Sequence, residues 1–207
     1  RPPRNMSSAA SDVYKRQTQS AADIVIANAG IAASAPLDKT DRGLWDQIIA
    51  VNLTGPFLTL REGLVRMKAA HCRQGRLIAI ASMTAKRAYP YISAYAASKH
   101  GVLGLVKSAA LEVAALGTSG SESEQKNITV NAICPGYLDT EMTQSSIANI
   151  AEKTGLSSKQ AAEKLHSFSP QKRLFTADEV AQAALYLASP AASGINGQAL
   201  SIDGGET

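Results

Sequence analysis

The 207-residue chain predicts an α/β fold, a parallel sheet with helices on both faces. Two observations carry this. Residues 22–30 (ADIVIANAG), 75–82 (GRLIAIAS) and 128–136 (ITVNAICPG) are nearly continuous apolar runs without alternation, the pattern of strands buried on both faces. Between and after them lie long segments with helical apolar spacing. Strands alternating with helices imply a doubly wound, three-layer αβα sheet, and the length suits one domain.

The first run ends in Asn28-Ala29-Gly30, at the carboxyl edge where open α/β sheets bind ligands. Ala and Gly there let a flat ligand approach the backbone, and Asn28 can bond neighbouring main chain. On the residues alone a plain strand-ending turn is the favoured reading. Residues 44–68 read as one long helix whose apolar stripe runs through Leu44, Ile48, Ile49, Leu53, Phe57, Leu60 and Leu64. Thr40 or Asp41 caps its start. Trp45 and Phe57 are assigned to the core. Gly55-Pro56 should disturb the middle, because proline removes a donor and clashes with the preceding turn. Asn52 is the polar residue on this buried surface and reads first as a satisfied structural group.

The run 75–82 ends in Ser82, where a serine commonly caps a turn. A helix follows from Ala94 to about Leu116, through Val102, Leu103, Leu105, Val106 and Leu111. Its Ala96, Ala97, Gly101 and Gly104 permit close packing, and His100 faces a different side from Lys99, at the surface or an interface. Residues 117–126 (GTSGSESEQK) form a polar loop, mobile by composition. After the third strand comes Pro135-Gly136-Tyr137-Leu138-Asp139-Thr140, then two short amphipathic helices over 145–168, broken at Thr154-Gly155. Thr176-Ala177-Asp178-Glu179 is a capping box for a last helix. Residues 197–202 give a final strand closed by Asp203-Gly204-Gly205.

The gross numbers narrow the function. No apolar run approaches the roughly 20 residues of a membrane span, and the start lacks the apolar centre of a signal peptide. Cys72 and Cys134 are far apart and form no CxxC, so reduced thiols in a cytoplasmic protein are expected. His71, His100 and His166 have no ligand spacing, and no metal is expected. Of the net charge of +4, +3 sits in residues 1–17, leaving +1 for the rest, which does not support a nucleic-acid or membrane partner.

Residues 1–17 (RPPRNMSSAASDVYKRQ) have no apolar period. Residues 7–17 also coincide with the in-frame translation of a transposase sequencing adapter. Residues 1–17 are therefore expected to be non-native, and native coding sequence to begin near Thr18.

Ser82 lies thirteen residues before Tyr95, and Lys99 lies four after it. On a helix, residues four apart share a face. A cation beside a phenol favours the phenolate and draws its pKa, ordinarily about 10, toward working pH. Together with NAG (28–30), Val51-Asn52-Leu53 and the PGxxxT pattern of 135–140, this ordered set resembles the short-chain dehydrogenase/reductases. The resemblance covers Thr18 to the end.

It implies a Rossmann-like fold and an NAD- or NADP-dependent interconversion of a secondary alcohol and a ketone. Tyr95 would be the proton donor or acceptor. Lys99 would lower the Tyr95 pKa and hold the nicotinamide ribose, Ser82 would orient the carbonyl, and Asn52 would help hold a water in the proton path. Asn28, Ala29, Gly30, Pro135, Gly136 and Thr140, with Tyr95 and Lys99, would line the cofactor. The region 145–168 would be the substrate lid. Its residues Ser146 to Ile150 and Lys153 to Gly155, with Pro170-Gln171 and Arg173-Leu174 after it, resemble enzymes acting on 3-oxoacyl or 3-hydroxyacyl thioesters. A sugar, polyol or steroid alcohol is the other substrate class that the same four residues would serve. The intact parent is expected to be a homodimer or homotetramer. No G-x-x-x-G-x-G loop, which cradles a pyrophosphate at a helix N-terminus, precedes Asn28. The expectation is a domain lacking its first βα units, and with them the residue that selects NAD or NADP. A fragment without catalysis is the reading from outside the enzymes.

Overall fold

The computed structural model describes residues 22–116 and 127–207. The expectations for residues 1–17 and for the loop 117–126 lie outside the described residues. Four parallel strands form one sheet in the order β1-β2-β3-β4: Ile24–Ala27, Gln74–Ile80, Asn127–Pro135 and Ala199–Ile202. The register pairs Ala27 with Ala79 and Ile80 with Ile133, so the chain segments following β1, β2 and β3 emerge at one edge.

Both faces of the sheet carry helices. Leu77 and Ala79 of β2 and Val130 and Ala132 of β3 point to one side, into a core with Leu60, Met67, Val102 and Val106. Ile78 and Ile133 point to the other, against Val180, Ala184 and Leu187. A period of two along each strand delivers alternate residues to opposite cores, and this is why the runs read as continuously apolar. β1 departs from the expectation. Ile24 and Ile26 are 48% and 43% exposed, because no described helix covers that side of this edge strand.

The helix after β1 runs from Arg42 to Ala69 in three parts: α1 (Arg42–Ile49), a π-helical turn (Ala50–Thr54) and α2 (Gly55–Ala69). Asp41 caps α1, accepting from Leu44 N at 2.7 Å. The π turn lies directly before Pro56, where the disturbance was expected. It puts an extra residue into the helix and changes the phase of the buried seam, which follows Ile48, Asn52, Pro56, Leu60, Gly63 and Met67. Trp45 (37% exposed) and Phe57 (44%) are therefore not core. The 28-residue stretch Arg42–Ala69 is long and apolar enough to cross a membrane by length and composition, yet its seam is packed on β1 and β2.

α3 (Ser93–Leu116) buries Ala94, Ala96, Val102, Val106 and Val113, while Leu111 faces outward. His100 is exposed, its ring nitrogen 2.9 Å from the Ala96 carbonyl. α4 (Glu141–Thr154) ends at Gly155, whose φ of 71° suits glycine. α5 (Ser158–Phe168) and α6 (Ala177–Ala188) each start with a reciprocal capping box, Ser157/Gln160 and Thr176/Glu179. Cys72 and Cys134 are buried free thiols. After β4 the Asp203 carboxylate gathers the end of the chain, accepting from Gly205 N (3.0 Å), Thr207 N (3.2 Å) and Thr207 Oγ1 (2.6 Å).

Candidate active site

The carboxyl ends of β1, β2 and β3 bring most of the sequence-chosen residues to one edge. Ser82, two residues beyond β2, caps the 3₁₀ turn Met83–Ala85 in extended backbone. Tyr95 and Lys99 lie one turn apart at the start of α3. Lys99 is 3% exposed; its Nζ donates to the Ile80 carbonyl at 3.0 Å and stands 5.8 Å from the centre of the Tyr95 ring. An ammonium has three donors, so two remain for other partners. Burial lowers the Lys99 pKa to about 8.

Asn52 is fully buried in the π turn. Its Oδ1 accepts from Ile31 N at 2.9 Å, and Nδ2 donates to Ile31 O at 2.8 Å and to Ser98 Oγ at 3.3 Å. The side chain is thus spent on structure. Pro56, four residues on, has no N–H, so the main-chain carbonyls of Val51 and Asn52 share one donor fewer. If Asn52 holds a water, the carbonyl is the group with capacity to do so.

The expected lowering of the Tyr95 pKa by Lys99 is not what the geometry delivers. Burial pushes the phenol up, and the hydroxyls of Ser82 and Thr84 pull it down; the ammonium sits over the ring and bonds elsewhere. Thr84 escaped the sequence reading. It is buried, and its Oγ1 donates to Ser82 Oγ at 2.5 Å. The one available sign was a second hydroxyl residue two positions after Ser82.

Around this cluster stands a wall with little sequence signature. The Tyr137 and Phe168 rings stack at 6.1 Å, and Phe168 meets Tyr89 edge-on at 5.8 Å. The Tyr89 hydroxyl donates to the Glu206 carboxylate and lies 3.9 Å from Met83 Sδ. Burial, with the nearby Glu206 and Tyr95, pushes the Tyr137 phenol to about 12. α5 thereby reaches the site through Phe168.

The residues present fit a flat cofactor on one side. A Cβ on Gly30 would stand 3.5 Å from Lys99 Nζ and 3.6 Å from Asn52 Oδ1, and one on Gly136 would meet Asp203 Cα at 3.1 Å. A side chain at Gly30 would fill the space beside the lysine, whereas at Gly136 it would collide with Asp203 and Phe175, so glycine there serves the packing of the turn after β3. Thr140 precedes α4 and makes no capping bond with its hydroxyl. Asn28 and Ala29 are exposed beside Gly30. These three share the edge, but no described contact joins them to the Tyr95 cluster.

A parallel αβα sheet with these groups at its carboxyl edge is the arrangement of an open α/β protein with its ligand site beyond the strand ends. A family model described as Enoyl-(Acyl carrier protein) reductase matches residues 4–207. The chain is 40% identical over 187 residues to D-beta-hydroxybutyrate dehydrogenase of Rhizobium meliloti (strain 1021), covering 90% of this chain and 68% of that one. It is 37% identical over 183 residues to the 3-oxoacyl-[acyl-carrier-protein] reductase FabG of Chlamydia muridarum (strain MoPn / Nigg), covering 88% and 64%. Its structure is similar to an actinorhodin polyketide ketoreductase crystallised with NADPH, at a TM-score of 0.82 and 30% identity, covering 96% of this chain and 72% of that one. The chain belongs to the short-chain dehydrogenase/reductase family, whose enzymes interconvert alcohols and ketones with NAD or NADP.

Proposed function

We propose that the chain supplies the proton-transfer residues of an enzyme interconverting a 3-hydroxyacyl and a 3-oxoacyl thioester. The observation that carries the chemistry is the convergence of Ser82, Tyr95 and Lys99 at one sheet edge, two of them nearly closed to water. The relative named as a 3-oxoacyl-[acyl-carrier-protein] reductase supports the thioester, and the D-beta-hydroxybutyrate dehydrogenase supports the 3-hydroxy pattern alone.

In the reductive direction Tyr95 gives its proton to the carbonyl oxygen, and in the oxidative direction it takes the alcohol proton. Ser82 donates to the same oxygen and stabilises negative charge as it develops there. Lys99 has two donors free for a ribose once Ile80 O has taken the third. Gly30, with Asn28 and Ala29, leaves room along one side of the cofactor. Pro135, Gly136 and Thr140 would line the other. A bound nicotinamide supplies or accepts the hydride. A main-chain carbonyl at Asn52 holds the water that relays protons from Lys99.

The exposed apolar side of α2 (Phe57, Leu58, Val65) supports an assembly of two or four copies, which light scattering would measure. For the chemistry, Tyr95→Phe is the test. It should abolish turnover of an acetoacetyl thioester with NADPH or NADH while nicotinamide fluorescence still reports binding. Retained turnover would remove Tyr95 from the reaction, and a sugar or steroid alcohol turned over in preference would overturn the thioester.

A further inference from the structure

The geometry points to Thr84 as a positioning residue that fills the acceptor side of Ser82 and leaves the Ser82 proton free for the reacting oxygen. A serine hydroxyl has one proton to give and two lone pairs to receive with. Thr84 takes both lone pairs. Its N–H reaches Ser82 Oγ at 3.2 Å and its Oγ1–H at 2.5 Å. The turn that presents them is held independently, by Ala85 N to Ser82 O and Lys86 N to Met83 O, each at 2.9 Å. Thr84 is 3% exposed and Ser82 8%, so water does not compete freely for either hydroxyl. In such surroundings, hydrogen bonds in a chain strengthen one another.

Two consequences follow. In reduction, Ser82 can only donate, and it donates more strongly because its oxygen is already receiving. In oxidation, the alcohol O–H has two oxygens to choose from, Ser82 Oγ and Tyr95 Oη. With the Ser82 acceptor sites occupied, the proton is left to Tyr95, the productive choice. A bare N-cap serine would need only the Thr84 N–H. The hydroxyl is the addition, and a Val or Ala at 84 would cap the turn equally well through its backbone.

The inference rests on the reading of Tyr95 as the proton-transfer residue, and the test separates the two. Thr84→Val keeps the shape and the N–H and removes the hydroxyl; Thr84→Ser restores it. The Tyr95 phenol is titrated by phenolate absorbance, as the difference from Tyr95→Phe, in the wild type, Thr84→Val, Ser82→Ala and the double variant. Expected is an upward shift on the order of half a unit or more for Thr84→Val, reversed in Thr84→Ser and smaller when Ser82 is already Ala, since the Thr84 hydroxyl also acts on the phenol directly and only the part that passes through Ser82 is lost. In turnover of the alcohol, Thr84→Val should lower kcat about tenfold with KM within twofold, and Thr84→Ser should recover it. An unshifted Thr84→Val titration, or the same shift in the Ser82→Ala background, overturns the relay even if Tyr95→Phe is inactive. Turnover retained by Tyr95→Phe overturns the Tyr95 reading instead. The titration needs no turnover, and should Thr84→Val not fold, Ser82→Ala with Thr84→Ser carries the comparison: failure of Thr84→Ser to match wild type refutes the role.

Discussion

Asn52 grips Ile31 by its main chain, receiving from the N–H at 2.9 Å and giving to the carbonyl at 2.8 Å, as a neighbouring strand would. Its remaining contact, 3.3 Å to Ser98 Oγ, continues to the Tyr95 carbonyl, to which Ser98 donates at 2.7 Å. One buried amide thus joins the segment after β1, the π turn and the first turn of α3. Gly30 is held near the Lys99 ammonium by this stitch.

Replacing Asn52 by Leu leaves the Ile31 N–H and carbonyl without partners beside the core. Each unsatisfied buried group costs about 1–3 kcal/mol, so Asn52→Leu should lose roughly 3 kcal/mol of unfolding free energy in urea. A loss under about 1 kcal/mol would mean that Ile31 finds other partners and that the stitch does not hold the loop.

Gly101 and Gly104 stand three residues apart on α3 and should respond oppositely to alanine. Alanine is favoured over glycine in a helix interior by up to about 1 kcal/mol. At Gly104 a Cβ meets nothing within 4 Å, and the gain is realised. At Gly101 it would stand 2.9 and 3.0 Å from the two methyls of Leu53 in the π turn, and overpacking offsets the gain. Gly104→Ala should raise the melting temperature, and Gly101→Ala should fall below it by the equivalent of at least about 1 kcal/mol. Equal melting temperatures would show that Leu53 moves aside freely.

The legible parts of the molecule were those written in local pattern. Continuous apolar runs gave β2 and β3 nearly to the residue, capping residues gave the starts of α1 and α6, and spacing gave Ser82, Tyr95 and Lys99. What failed was set by tertiary phase. The helical stripe through Phe57 assumed 3.6 residues per turn throughout, and the π turn at 50–54 shifted that face outward. β1 read as buried on both sides because Ile24 and Ile26 are apolar, yet burial depends on what covers them. Tyr89 and Glu206 meet across 117 residues of chain, and no local signal predicts that, whereas Thr84 bonds to Ser82 only two positions away.

Lys99 opposes the fold at neutral pH. Its pKa falls from 10.5 to about 8 through burial, so between these values the unfolded chain holds a proton that the folded chain has released. Stability therefore rises with pH across that window, and below about pH 8, where both states are charged, the full cost is present. The shift corresponds to roughly 3 kcal/mol. Lys99→Met, which keeps the bulk and removes the charge, should be more stable than wild type at pH 7 by up to about 3 kcal/mol, less about 1 for the Ile80 carbonyl it leaves unpaired. That advantage should shrink from pH 8 to 10.5 as the wild-type ammonium loses its proton. Urea midpoints of the two proteins at pH 7, 9 and 10.5 measure it, and an advantage that stays constant or widens with pH would contradict the burial argument. If the lysine is retained for its charge, as a binding role toward ribose requires, the same titration should also weaken nicotinamide binding above pH 8 in the wild type and leave the already weakened Lys99→Met binding unchanged with pH.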